Sequence, residues 1–225
     1  MTLHPILDDV DVVVFDKDGT LISFEAMWVG WARELGGRLE AATRRPVAGD
    51  VFATIGFDPS HDRVVPGGPL AVATMDGIRD LVGAVLRRWC PSVPAAMRIL
   101  ADAWFEPDPV ATAVPLADLP AVLGAVRASG RRIGVATTDD RRPTEATITG
   151  LGLARLVDDL VCGDDAGPTK PDPEAIRAIG GRLGAQPDRI AMVGDTVADL
   201  RMARDAGAVT VAVRTGVTSA EELDP

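Results

Sequence analysis

The stretch DVVVFDKDGTLI, Asp11–Ile22, decides how the rest of the chain is read. Val12–Phe15 is a short, wholly apolar run rich in β-branched side chains. That pattern predicts a strand buried on both faces, as in a parallel sheet. The run leads straight into Asp16, Lys17, Asp18, Gly19 and Thr20. Charges at the end of a buried strand lose hydration and need compensation. The stretch is therefore either an acidic turn after a strand or a site.

The pattern changes downstream. Phe24 to Ala42 carries Phe24, Met27, Trp28, Trp31, Leu35 and Leu39 at helical spacing. Residues 46–69, rich in Pro, Gly and Asp, read as a loop. Leu70–Trp89 and Val93–Phe105 read as two further helices. No strand is predicted between Ser23 and Thr112, so this insert is expected to be all helical. Its expected linkers are Ile22–Ser23 and Ala113–Leu116.

From Leu116 onward, helices and strands alternate. Helices are predicted over Leu119–Ser129, Thr144–Leu151, Pro173–Leu183 and Val197–Ala206. Strands are predicted over Arg132–Thr137, Leu156–Cys162, Arg189–Val193 and Val209–Val213. This alternation implies an α/β, Rossmann-like core with a parallel sheet. The core is expected to comprise residues 1–22 and 113–225, with residues 23–112 inserted after the first strand. Three strands end in polar residues: Asp16, Thr137, and Gly194 followed by Asp195. Open parallel sheets bind ligands at the carboxyl ends of their strands, so the three meet on one edge. That convergence favours a site.

Bulk composition narrows the options. The chain has 225 residues, 47% of them hydrophobic and 25% charged, which suits a globular core. A net charge of -10 disfavours nucleic acid and anionic lipid as partners. Cys90 and Cys162 are too few for a disulfide framework and suit a reducing compartment. The start, MTLHPILDDVD, has no basic segment before an apolar run, and no apolar run is long enough to span a membrane. A cytoplasmic protein is expected. His4 and His61 are the only histidines, so no zinc ligand set is apparent.

DKDGT at 16–20, ATT at 136–138, TKPDPE at 169–174 and GDTVAD at 194–199 resemble, in order, the four motifs of the haloacid dehalogenase superfamily. The core with a helical insert is most similar to its phosphoglycolate-phosphatase-like branch, where the insert is a cap. The resemblance implies Mg²⁺-dependent hydrolysis of a small phosphorylated metabolite through an aspartyl phosphate. Asp16 is then the nucleophile, and Asp18 the acid and base toward leaving group and water. Asp16, Asp18 (through its backbone carbonyl) and Asp195 hold Mg²⁺, which prefers hard oxygen ligands. Thr137 donates to the phosphoryl group and Lys170 supplies fixed positive charge. Gly19, Thr138 and Asp199 are supporting residues. Dehalogenases of the superfamily lack an aspartate at the position of Asp18, which points to phosphate chemistry here.

Other residues receive structural readings. Asp195 also suits the N-cap of the helix that follows. Lys17 is expected at the surface, Asp164 and Asp165 in a loop, and Trp28 and Trp31 in a core. Arg33, Arg44, Arg45 and Arg63 are expected to be exposed. The runner-up function is a phosphosugar mutase of the same superfamily; a non-catalytic phosphate-binding member is the alternative outside catalysis. A phosphonatase needs a cap lysine, and residues 23–115 contain none.

Overall fold

The computed structural model describes residues 4–223, which fall into two compact units. One is Glu25–Asp108; the other holds the remaining described residues on either side of it. The core unit begins with strand β1, Val12–Phe15, all four residues buried. The inserted unit carries helices α1 (Phe24–Thr43) and α2 (Ala48–Ile55), strands β2 (Phe57–Asp58) and β3 (Arg63–Val64), and helices α3 (Pro69–Val72), α4 (Met75–Trp89) and α5 (Val93–Ala103). The core resumes with α6 (Leu119–Ala128), β4 (Arg132–Ala136), α7 (Arg141–Gly150), β5 (Asp159–Val161), α8 (Glu174–Leu183), β6 (Ile190–Gly194), α9 (Val197–Ala206), β7 (Val209–Ala212) and α10 (Ala220–Leu223).

The core sheet is parallel throughout, in the order β5-β4-β1-β6-β7. β1 sits at its centre, which is why it tolerates no polar residue. In register, Phe15 lies level with Val135 on one neighbour and Val193 on the other. Asp16, Thr137 and Asp195 therefore leave three adjacent strands at nearly one height. Val12, Val14, Ile190 and Met192 pack with Ile176 and Ile179 of α8 and Met202 and Ala203 of α9. That layer anchors one face of the strand ends from which the acidic residues emerge.

The segments joining the inserted unit to the core are tied as a pair. Ser23 N donates to Val114 O at 2.8 Å, and Leu116 N to Leu21 O at 3.0 Å.

The insert is not all helical. β2 and β3 form an antiparallel hairpin, Phe57 opposite Val64. Its turn is held by Asp58, whose carboxylate accepts from Ser60 N at 2.9 Å and meets His61 Nδ1 at 2.8 Å. The expected loop at 46–69 also hides α2. Its Gly and Asp residues mask a stripe of Val47, Val51 and Ile55, all buried at helical spacing.

In the core, α7 starts at Arg141 rather than Thr144, because Pro143 lies in the first turn, where a missing N–H costs nothing. β5 begins only at Asp159. Leu156 and Val157 turn back onto Leu153 O, and the Asp158 carboxylate takes the Ile133 amide at 2.8 Å instead of a backbone carbonyl.

Candidate active site

Asp16 is buried, its amide donating to Val193 O at 2.9 Å. Its Oδ1 accepts from Lys170 Nζ at 2.5 Å, and the same ammonium lies 2.5 Å from Asp199 Oδ1. Carboxylate oxygens of Asp16, Asp195 and Asp199 all lie within 4.8 Å of one another. Asp16 Oδ2 and Asp195 Oδ2 are buried with no hydrogen-bond partner in the protein. Buried polar atoms are rarely left unpaired in a native fold. Hard oxygen donors, clustered and unpaired, fit a divalent cation such as Mg²⁺. Glycines let the backbone close on this cluster. Gly19 has φ +87°, and a Cβ there would sit 2.5 Å from Asp195 Oδ2. A Cβ at Gly216 would sit 1.6 Å from the same oxygen. Thr215 Oγ donates to Gly19 O at 2.6 Å, fastening the two segments together.

Asp199 serves two ends at once. Its Oδ2 accepts from Thr196 N at 3.2 Å and Thr196 Oγ at 2.6 Å, while Thr196 Oγ accepts from Asp199 N. This reciprocal capping box starts α9. The N-cap of α9 is thus Thr196, not Asp195. Displaced by one residue, Asp195 turns its carboxylate to the cluster, with only a long contact of 3.4 Å from Thr20 Oγ.

Asp18 stands apart from the clustered carboxylates. Its Oδ2 lies 2.6 Å from Lys17 Nζ, and its Oδ1 is buried without a partner. Lys17 overturns the expectation of a surface lysine: its side chain is 1% exposed and also lies 2.9 Å from Asp139 Oδ2. Alternation along β1 does point Lys17 away from Asp16, but that face is covered too. The sequence signal was composition. The chain's only lysines are Lys17 and Lys170, against 21 arginines, and both are buried beside aspartates.

Thr137 is buried, and its Oγ accepts from Asp139 N at 3.2 Å. The hydroxyl proton stays available for an anionic oxygen. Thr138 contributes backbone: a Cβ at Gly163 would sit 2.1 Å from Thr138 O, so the loop after β4 is closely packed. Asp164 and Asp165 are structural, as expected. Asp164 accepts from Arg141 N at 2.8 Å, and Asp165 pairs with the Arg141 guanidinium at 2.7 Å.

Burial dominates the electrostatics. It pushes the Asp16 carboxyl well above the ordinary range, with Lys170 pulling the other way and Asp199 adding to the rise. Asp18 is likewise raised by burial against the pull of Lys17, and Asp195 by burial and by Asp199. Burial works to discharge Lys17 and Lys170, but their paired aspartates outweigh it, and both are held more firmly protonated than usual.

The central strand thus ends in a buried carboxylate beside a lysine and a cluster of further carboxylates. The family model for haloacid dehalogenase-like hydrolases matches residues 10–207, and the chain belongs to that family. A phosphoglycolate phosphatase of Rhodospirillum rubrum is 34% identical over 91% of this chain and 79% of its own length. A validoxylamine A 7'-phosphate phosphatase of Streptomyces hygroscopicus subsp. limoneus is 28% identical over 91% and 85%. In fold, the chain is similar to CbbY from Rhodobacter sphaeroides in complex with phosphate, with 21% identity, 96% and 91% coverage and a TM-score of 0.62.

Proposed function

We propose that this protein is a Mg²⁺-dependent phosphomonoesterase of a small phosphorylated metabolite, phosphoglycolate-phosphatase-like, with Asp16 as nucleophile. The observation that carries the reading is the state of Asp16. One oxygen is held by Lys170, and the other is buried, unpaired and beside the carboxylates of Asp195 and Asp199. Its relatives of 34% and 28% identity are both phosphatases.

Asp16, Asp195 and Asp199 would hold the cation, with the backbone carbonyl of Asp18. Bound there, Mg²⁺ would neutralise phosphate charge that otherwise repels an attacking carboxylate. A carboxylate oxygen of Asp16 attacks phosphorus, and the bond to the leaving oxygen breaks. Asp18 gives its proton to that oxygen. Lys170 keeps Asp16 oriented, and the Thr137 hydroxyl donates to a phosphoryl oxygen. Water then attacks the aspartyl phosphate, its proton returns to Asp18, phosphate departs and the Asp16 carboxylate is restored. Substrate choice is assigned to the unit Glu25–Asp108, in the role of a cap.

Rapid mixing of Asp16→Asn and Asp18→Asn with an aryl phosphate tests the assignment. An aryl leaving group needs little protonation. Asp18→Asn should release a burst of phenolate and then stall, because no base activates water. Asp16→Asn should release none. A burst from Asp16→Asn, or full turnover in both, would place the nucleophile elsewhere.

A further inference from the structure

The edge holds two aspartate–lysine–aspartate bridges, and the second reaches outside the quoted motifs to Asp139. In the first, Lys170 lies 2.5 Å from Asp16 and 2.5 Å from Asp199. In the second, Lys17 lies 2.6 Å from Asp18 and 2.9 Å from Asp139. Each bridge therefore contains one of the two aspartates given a chemical role, one lysine, and one further aspartate behind it. The two lysines are the only ones in the chain. Every other strong base is an arginine, and surface ion pairs here are made with arginine, such as Arg33–Asp62 and Arg38–Glu34.

The back of the second bridge is rigid. Asp139 N donates to Thr137 Oγ at 3.2 Å, and Asp139 O accepts from Gly163 N at 2.8 Å. Lys17 O accepts from Leu21 N and Ile22 N, closing the turn that carries Asp18. The ammonium thus sits between two segments fixed by backbone hydrogen bonds. It grips one oxygen of Asp18 and leaves the other buried and unpartnered.

We infer that Lys17, anchored by Asp139, is a positioning residue for Asp18: it fixes the carboxyl so that its free oxygen faces the leaving group and the attacking water. A carboxyl that swings away transfers its proton poorly, since transfer needs hydrogen-bond reach. Lysine suits the task better than arginine. Its compact ammonium meets two single oxygens, where a planar fork would compete for both oxygens of one carboxylate.

The inference rests on the proposed acid–base role of Asp18, and leaving-group dependence separates the two. The Mg²⁺-loaded enzyme is assayed with dinitrophenyl phosphate, whose leaving group needs no proton, and with an alkyl phosphate, which needs one. Lys17→Met should lower kcat for the alkyl ester by about a hundredfold, the lower end of what acid–base catalysis contributes. It should leave the first-turnover burst of dinitrophenolate nearly unchanged, because only the later hydrolysis of the aspartyl phosphate then calls on Asp18. Lys17→Met leaves Asp139 without its cation, so Lys17→Met/Asp139→Asn, which removes both charges, guards against misfolding and should show the same selective loss. Asp139→Asn alone keeps the ammonium and should give a smaller loss of the same kind. Added to Asp18→Asn, Lys17→Met should cause no further selective loss. Equal losses in the first-turnover release of both leaving groups would reduce Lys17 to charge neutralisation and overturn the inference. If Asp18→Asn itself shows no leaving-group selectivity, the role of Asp18 fails first.

Discussion

The inserted unit and the sheet edge handle charge in opposite ways. In the insert, ion pairs sit in water. Arg33 and Asp62 are 47% and 57% exposed, and Arg38 and Glu34 are 42% and 53% exposed. Such pairs contribute at most about 1 kcal/mol and tolerate loss. At the sheet edge, Lys170 and Asp16 are each 7% exposed and Asp199 is 0% exposed. Removing one partner of a buried pair typically costs about 3–5 kcal/mol, because the other charge is left stranded. The insert's buried layer is aromatic instead: Trp31 stacks edge-on with Trp28 and Trp104, and its Nε1 donates to Phe105 O at 2.9 Å.

The largest test of this contrast is nucleophile removal. Asp16→Asn should bring turnover to background, a loss on the order of a millionfold, as when a nucleophile is deleted elsewhere. Arg33→Gln, an ion-pair loss in the insert, should leave kcat and melting temperature nearly unchanged. Comparable losses in both variants would break the contrast.

Lys170→Met comes next. It should lower kcat by about a hundred- to a thousandfold, the usual cost of one preorganised electrostatic contact. The fold should survive better if Asp199→Asn is added, since the second change removes a stranded charge.

The third test is Gly216→Ala. A methyl group there collides with Asp195, so the carboxylate must shift. Half-saturation by Mg²⁺ in the activity assay should move up by about tenfold or more, in line with disturbed support of metal ligands. An unchanged Mg²⁺ requirement would remove Asp195 from the cation site.

A fourth test uses pH without metal. Asp16, Asp18 and Asp195 have carboxyls raised by burial in the fold, so the folded state holds their protons more tightly than the unfolded chain. Their contribution is full below the unfolded carboxyl value and is lost as pH rises through the raised ones. The chelator-treated protein should therefore melt at lower temperature at pH 8 than at pH 5, and added Mg²⁺ should recover more stability at pH 8. Calorimetry showing the reverse order would contradict the dominance of burial at these groups.

A modest effect on stability alone is expected from a buried ring of the insert. Trp31→Phe removes one hydrogen bond to Phe105 O and should cost about 1 kcal/mol, a fall of about 2–4 °C in melting temperature. kcat on a small aryl phosphate should not change.

Much of the core was legible because its constraints are local. Val12–Phe15, short, apolar and rich in β-branched side chains, favours a buried strand, and a strand that ends in Asp16 announces its own exception. The parallel order follows from helices alternating with strands. Asp16, Thr137 and Asp195 could be grouped because the carboxyl ends of parallel strands share an edge, whereas Lys170 was singled out only by the resemblance of its motif. The insert was less legible: Pro46, Gly49 and Asp50 disguised α2, and the hairpin at Phe57–Val64 is too short to show a period.

What the sequence determined by itself was the alternation of strands and helices and the types of group at the sheet's edge, because both depend on patterns of a few residues. Only the tertiary structure decided which charge meets which. Lys17 and Asp139 are 122 positions apart, and no spacing rule joins them. They pair because β1 and β4 are neighbours in the sheet and because a buried ammonium must find carboxylates wherever the fold supplies them. In the same way, Gly216 reaches Asp195 only because β7 lies beside β6 and its following loop turns back over that edge.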